Sequence, residues 1–284
     1  MDAFLNGKIL PEEHAVVSVL DRGFLYGDGL FESVRVHSGR LFRWPEHFER
    51  LVHGAAYLRL KIPFAGAELR NAAEALIERN QILEGVLRLT LSRGCGVRGY
   101  SPRGADRPVV AMTLHPLEPA PSAPPGWKVS AASARVAAGD PLATVKSCNK
   151  LLHVLARAEA EERGNQEALL LNTRDEVVEA ASSNLFWLEG STICTTPVAV
   201  GVLPGVTRAF VLELCQDLRL EHREKVIGLP ELKASSGAFL TMSTVGIVTV
   251  THVDDHPLAE SPLVGTLAQA YRTQVERELH NSQR

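Results

Sequence analysis

Residues 167–195 read Glu167-Ala168-Leu169-Leu170-Leu171-Asn172-Thr173-Arg174-Asp175-Glu176-Val177-Val178-Glu179-Ala180-Ala181-Ser182-Ser183-Asn184-Leu185-Phe186-Trp187-Leu188-Glu189-Gly190-Ser191-Thr192-Ile193-Cys194-Thr195. Short apolar runs at 168–172, 177–179, 185–188 and 192–195 are separated by polar or small residues, the mark of successive strands rather than of a long helix. No helical stretch stands between them. The strict strand–helix alternation of a doubly wound sheet therefore fails, and an α+β architecture follows. Around this core the second half is expected to carry a strand at 128–133, a helix at about 151–163 and another at about 206–218. Strands near Phe239 and at 247–250 and an amphipathic helix over 263–279 complete it.

The first half opens on a hairpin, residues 4–5 and 8–10 about Asn6-Gly7, a dipeptide that accepts the positive φ values of a type I′ turn. A strand is expected at 15–20, and a second hairpin, 31–36 with 41–43, about His37-Ser38-Gly39-Arg40. Pro45 begins a segment with Phe48, Leu51, Val52, Ala55 and Leu58 at helical spacing, and proline in a first turn costs no hydrogen bond. A helix at 67–80 and strands at 86–92 and 109–114 follow. Between the halves Pro116, Pro119, Pro121, Pro124 and Pro125 remove backbone donors and stiffen the chain. The expected organisation is a small N-terminal α+β domain over 1–115, a proline-rich linker over 116–126 and a larger cofactor-binding domain over 127–284.

With 284 residues, 45% of them hydrophobic and 22% charged, the chain can bury two modest cores. A net charge of -3 and a pI near 6.4 attract neither nucleic acid nor a membrane surface. Met1-Asp2-Ala3-Phe4 opens no basic, then apolar, secretory leader, and no run of apolar residues is long enough to span a bilayer. Cys95, Cys148, Cys194 and Cys215 are scattered, which predicts reduced thiols in a cytoplasmic protein; the histidines lack metal-ligand spacing, and no metal is predicted.

Several strings, taken in order, resemble the class IV aminotransferases. Asp21-Arg22-Gly23-Phe24-Leu25-Tyr26-Gly27-Asp28-Gly29-Leu30-Phe31-Glu32 looks like their N-terminal signature. The run from Glu167 to Asn172 with Glu179 to Phe186 is similar to their central one, and Leu203-Pro204-Gly205-Val206-Thr207-Arg208 to their phosphate loop. The resemblance spans residues 4 to 251. It implies the two-domain fold type IV, with a barrel-like mixed sheet in the larger domain, pyridoxal 5′-phosphate as cofactor, and a homodimer whose active sites lie between the domains near the subunit interface.

Residue by residue, Lys146 in Val145-Lys146-Ser147-Cys148-Asn149 stands where the family places its Schiff-base lysine. Attack on an aldehyde needs the neutral amine, which a desolvated, cation-rich pocket favours. Glu179 matches the carboxylate that pairs with the pyridine nitrogen and keeps the ring an electron sink. Small neighbours, Ala180 to Ser183, let a ring approach. The resemblance also assigns Ser183, Asn184, Val206 and Thr207 to the cofactor, and Arg50, Ser243 and Thr244 to its phosphate. For Arg50 the plainer alternative is an ion pair with Glu46 on the same helix; for Ser243 and Thr244 it is an ordinary turn. The Gly205-Val206-Thr207 turn opens a helix whose free N–H groups favour an anion.

The loop Leu91-Ser92-Arg93-Gly94-Cys95-Gly96-Val97-Arg98-Gly99-Tyr100-Ser101 is very similar to that of 4-amino-4-deoxychorismate lyases. The resemblance implies that Arg98 binds a substrate carboxylate, with Phe31 and Tyr100 lining the substrate site. Tyr100 stands where D-amino-acid transaminases carry histidine, Phe31 where they carry tyrosine, and Lys150 where branched-chain enzymes carry tyrosine. A lyase releasing pyruvate to give 4-aminobenzoate is the leading expectation. A transaminase acting on D-amino acids, branched-chain L-amino acids or amines is the alternative. A non-catalytic binding protein would not need Lys146, Glu179 and Arg50 together.

Overall fold

The structure is a computed structural model describing residues 1–118 and 125–281. The chain divides into two compact units, Met1–Pro119 with Val145–Lys150, and Ala120–Thr144 with Leu151–Arg284. The six residues around Lys146 thus pack with the N-terminal unit, although they lie well inside the second half of the sequence. Residues 119–124 of the proline-rich stretch lie outside the described residues.

The first unit contains β1 (Asp2–Leu5), β2 (Lys8–Pro11), α1 (Arg22–Tyr26), β3 (Gly29–His37), β4 (Arg40–Leu41), α2 (Trp44–Leu58), α3 (Gly66–Asn80), β5 (Gly85–Ser92) and β6 (Val109–Pro116). Its strands form one antiparallel sheet in the order β2-β1-β6-β5-β3-β4. Both hairpins turn as the sequence requires, with Asn6 and Gly7 at φ 47° and 91° and Ser38 and Gly39 at 48° and 74°. Alternation gives the sheet two unlike faces. Leu30, Val34, Val36, Leu87, Leu89, Leu91, Met112 and Leu114 are buried, where α2 meets β3 and α3 meets β1, β4 and β6. Phe31, Ser33, Arg88, Thr90 and Thr113 alternate with them and stay half-exposed on the opposite face.

The strand expected at 15–20 is not formed. The segment pairs with no strand of the sheet, in which β2 and β4 are the outer members, and Val16, Val19 and Leu20 are left exposed. The return strand of the second hairpin is also shorter than expected. It stops at Leu41, and Arg43 enters the left-handed region at φ 53° to start α2, with Pro45 in its first turn.

The second unit contains β7 (Trp127–Val136), α4 (Leu151–Glu162), β8 (Glu167–Asn172), β9 (Val177–Ala180), β10 (Asn184–Glu189), β11 (Thr192–Thr195), α5 (Val206–Asp217), β12 (His222–Glu224), α6 (Leu229–Lys233), β13 (Ala238–Met242), β14 (Gly246–Val253), β15 (His256–Pro257) and α7 (Pro262–Asn281). The main path of its mixed sheet runs β12-β11-β10-β13-β14-β7-β8-β9. The two ends of that path meet: the Val177 N–H donates to the Ile227 carbonyl at 2.8 Å, just past β12, and the Thr196 hydroxyl donates to the Val177 carbonyl at 3.2 Å. The sheet is therefore curled, as a barrel-like sheet must be.

Both faces of β10 are buried. Leu185 and Trp187 join Val129, Leu169, Leu240 and Val250 in the interior cluster. Phe186 points the other way and stacks on its cross-strand partner Phe239, ring centroids 4.9 Å apart. Phe210 of α5 packs against Tyr271 of α7 at 5.2 Å, and these helices lie over β13 and β14. Two buried faces explain why this stretch reads as near-continuous apolar sequence. Among the described residues no helix is long and apolar enough to cross a membrane.

Candidate active site

In the first unit, residues 145–150 run along the free edge of β3. The Phe31 N–H donates to the Lys146 carbonyl at 3.0 Å, Leu30 bridges to Ser147, and the Cys148 N–H donates to the Gly29 carbonyl at 2.9 Å. Val145 is buried, close to Gly54 of α2. This docking fixes the Lys146 backbone and sets its Nζ 4.5 Å from the centroid of the Phe31 ring. The Arg88 guanidinium lies against the same ring at 4.0 Å, an attraction between cation and π-face. Burial lowers the pKa of Arg88, with Cys148 acting in the opposite sense; a guanidinium nonetheless keeps its charge in proteins.

On the covered face, Glu32 is the one carboxylate among the apolar side chains of β3. Arg50 of α2 grips it through two bonds, Nε to Oε1 at 2.8 Å and Nη2 to Oε2 at 2.6 Å, and the His47 Nδ1 stands 2.7 Å from Oε2. Burial pushes the Glu32 carboxyl up, but the charge and hydrogen bond of Arg50 and the bond from His47 outweigh it and hold the pKa at about 2. Glu32 is therefore an acceptor only, and His47, whose own pKa is lowered chiefly by burial, donates to it through Nδ1. Arg50 thus has an ion-pair partner in Glu32, and Glu46 pairs with Arg43 at 3.7 Å.

The glycine- and arginine-rich loop is tied down from within. Arg22 donates to the carbonyls of Gly99, Tyr100 and Ser101 at 2.9, 3.0 and 3.1 Å and pairs with Asp28 at 2.8 Å. Asp28 also pairs with Arg93 at 2.8 Å. Tyr100 sets its ring against that of Tyr26, centroids 5.5 Å apart, yet is 88% exposed, and Arg98 is exposed with no hydrogen bond or ion pair to any described residue.

In the second unit, Glu179 is the last but one residue of β9 and is buried. Its Oε2 accepts from Asn184 Nδ2 and from the Leu203 N–H, each at 3.1 Å, while Asn184 Nδ2 also donates to the Leu203 carbonyl at 2.9 Å. The turn from Ala180 to Asn184 is closed by the Ala180 N–H on the Ser183 carbonyl at 2.8 Å and anchored by the Ser182 hydroxyl on the fully buried Glu167. Gly205 is the N-cap of α5 and supplies no side chain to its first N–H groups. Thr207 is buried there, its hydroxyl 3.5 Å from that of Ser243, which with Thr244 forms the β13–β14 turn. Arg208 braces the same first turn by donating to the Thr196 carbonyl and pairing with Glu224.

Whether these residues suit a phosphorylated pyridine can be tested on what they lack. The Ser183 Oγ is buried without a hydrogen-bond partner, and a buried hydroxyl so placed calls for an acceptor. A Cβ at Gly205 would overlap the Asn184 Oδ1, so the backbone at the α5 N-terminus stays bare. Uncapped helix N–H groups, a hydroxyl in want of an acceptor and a fixed carboxylate fit a phosphate and a ring nitrogen. Gly205→Ala is accordingly expected to displace Asn184, weaken pyridoxal 5′-phosphate binding about tenfold and cost about 1–3 kcal/mol of stability. Cofactor titration and thermal melting of the variant check this; wild-type values in both would refute it.

Sequence reasoning missed Arg88 and the Glu32–His47–Arg50 group. A charged residue within the alternating strand Val86-Leu87-Arg88-Leu89-Thr90 was the available signal for the first. Nothing local announces the second, whose members are 15 and 18 residues apart.

The family model for amino-transferase class IV matches residues 29–253. A putative branched-chain-amino-acid aminotransferase of Methanocaldococcus jannaschii is 34% identical over 89% of this chain and 88% of its own length. A D-alanine aminotransferase of Bacillus licheniformis is 30% identical over 98% of both. Among solved structures, 4-amino-4-deoxychorismate lyase from Pseudomonas aeruginosa is 31% identical with a TM-score of 0.84, covering 95% of this chain and 98% of that one. Similar chains thus carry three different activities.

Proposed function

The chain belongs to the class IV aminotransferase family of pyridoxal-5′-phosphate enzymes, and on that premise we propose that it is an aminodeoxychorismate-lyase-like member, releasing pyruvate from 4-amino-4-deoxychorismate to leave 4-aminobenzoate. The observation that carries this reading is the second guanidinium, Arg88, set against the same Phe31 ring as Lys146. That substrate presents two carboxylates, and Arg88 and the unpaired Arg98 offer two cations suited to planar anions. The likeness of residues 91–101 to the lyase loop supports it independently.

Lys146 would hold the cofactor, Glu179 its ring nitrogen, with Asn184 fixing the carboxylate. Arg50, Val206, Thr207, Ser243 and Thr244 would hold its phosphate, and Ser183 would close beside it. When bound, pyridoxal 5′-phosphate serves as an electron sink for charge developing at the substrate carbon that bears the amine. The Lys146 amine would take the proton from that carbon. The ring C–O bond then breaks, enolpyruvate leaves, and Lys146 returns the proton to its methylene carbon to give pyruvate. Atoms balance without water or a keto acid, and aromatisation drives the step.

Exposed apolar residues, among them Val16, Leu20, Phe24 and Tyr100 in the first unit and Leu151, Val154 and Leu155 in the second, support a homodimer. The four cysteines are free thiols, in keeping with a cytoplasmic location.

The experiment is to give the holoenzyme 4-amino-4-deoxychorismate with no keto acid present. Stoichiometric 4-aminobenzoate and pyruvate are the expected products. Their absence, with a D-amino acid or branched-chain L-amino acid converted to its keto acid, or an amine to its carbonyl compound, once a keto-acid acceptor is added, would establish the transaminase instead.

A further inference from the structure

We infer that Glu32 is a positioning residue for the cofactor phosphate: it acts through Arg50, fixing the plane and reach of the guanidinium. This rests on the reading of Arg50 as a phosphate ligand. Glu32 is rigid where Arg50 is not. It projects from the middle of β3, between Leu89 of β5 in register and the helix α2, with its side chain 3% exposed. His47, three residues before Arg50 on the same helix, takes one of its oxygens at 2.7 Å, so the carboxylate cannot rotate away. Arg50 then meets it through Nε and Nη2, the two-point contact that defines both the direction and the tilt of a guanidinium.

A buried ion pair of this kind adds little net stability, because desolvation of both groups offsets their attraction. Its physical consequence is directional. An arginine side chain loses much rotamer freedom when it binds an anion, and here Glu32 has already imposed that loss before the phosphate arrives. One effect opposes this: the carboxylate also partly neutralises the guanidinium. Orientation should win, since the phosphate keeps the α5 N-terminus and several hydroxyls as further donors and needs the arginine at one fixed place.

The test compares binding of pyridoxal 5′-phosphate and of pyridoxal, which lacks the phosphate, to apoenzyme of the wild type, Glu32→Gln, Arg50→Gln and the double variant. Binding is followed by cofactor absorbance, with a thermal melt on each protein. Glu32→Gln is expected to weaken pyridoxal 5′-phosphate about tenfold and to leave pyridoxal within about twofold. Arg50→Gln should weaken it more, and adding Glu32→Gln to Arg50→Gln should cost nothing further. Equal losses for both ligands, additive losses in the double variant, unchanged binding or tighter binding in Glu32→Gln would each overturn the inference while leaving Arg50 in place. If Arg50→Gln itself does not discriminate the two ligands, the phosphate reading of Arg50 falls, and the inference with it. Should Glu32→Gln not fold, Glu32→Asp keeps the charge, shortens the reach and is expected to show the same selectivity at smaller size; a non-selective loss there also overturns it.

Discussion

Replacing Lys146 with alanine is expected to lower turnover by about 10⁴-fold or more while leaving the fold intact. The two halves of this expectation have separate causes. The segment holding Lys146 is fixed by main-chain bonds to Gly29 and Phe31 and by the buried Val145, none of which the substitution touches. The melting temperature should therefore hold. The amine, by contrast, has no substitute in the proposed mechanism, where it both attaches the cofactor and moves the proton at the reacting carbon. Lys150, four residues on, ends the docked segment. Borohydride, which fixes a lysine-bound aldehyde as a stable amine, should tag the peptide containing Lys146 in the wild type and no peptide in the variant. Wild-type turnover in Lys146→Ala, or a tag on another lysine, would sink the mechanism.

Most of the scaffold around that lysine was legible in the sequence because its signals are local. Asn6-Gly7 and Ser38-Gly39 carry turn chemistry in two residues, α2 announces itself by Pro45 and its apolar spacing, and β8 to β11 by short apolar runs between turns. The strand expected at 15–20 shows the limit. Propensity was present, but a strand also needs a partner to pair with, and pairing is a non-local property. The same distinction divides the site. Lys146, Glu179 and the Gly205-Val206-Thr207 turn lie in compact strings that resemble a family, whereas Arg88 acquires meaning only when β3 and β5 pair and bring it onto Phe31. Glu32 sits inside a recognisable string, yet its partnership with His47 and Arg50 is created by packing α2 on β3. The docking of residues 145–150 on the N-terminal unit was likewise invisible, since nothing in Val145-Lys146-Ser147 says which sheet edge it will join.

Glu179→Gln is expected to reduce kcat by about 10²–10³-fold with only a small change in cofactor affinity. Glu179 is buried, and its Oε2 accepts from Asn184 Nδ2 and from the Leu203 N–H, donors that suit a carboxylate. A negative charge so held stabilises a protonated ring nitrogen, and its value grows as charge develops at the substrate carbon. Glutamine keeps the size and can still accept from Leu203 but carries no charge, so the loss falls on the transition state rather than on binding. The residues proposed for the phosphate are untouched. A purely structural Glu179 would behave in the opposite way: melting temperature and cofactor affinity would fall together while kcat of the loaded enzyme stayed near wild type. Measuring kcat at saturating cofactor beside a cofactor titration and a melt separates the two, and an unchanged kcat in Glu179→Gln would remove this carboxylate from the chemistry.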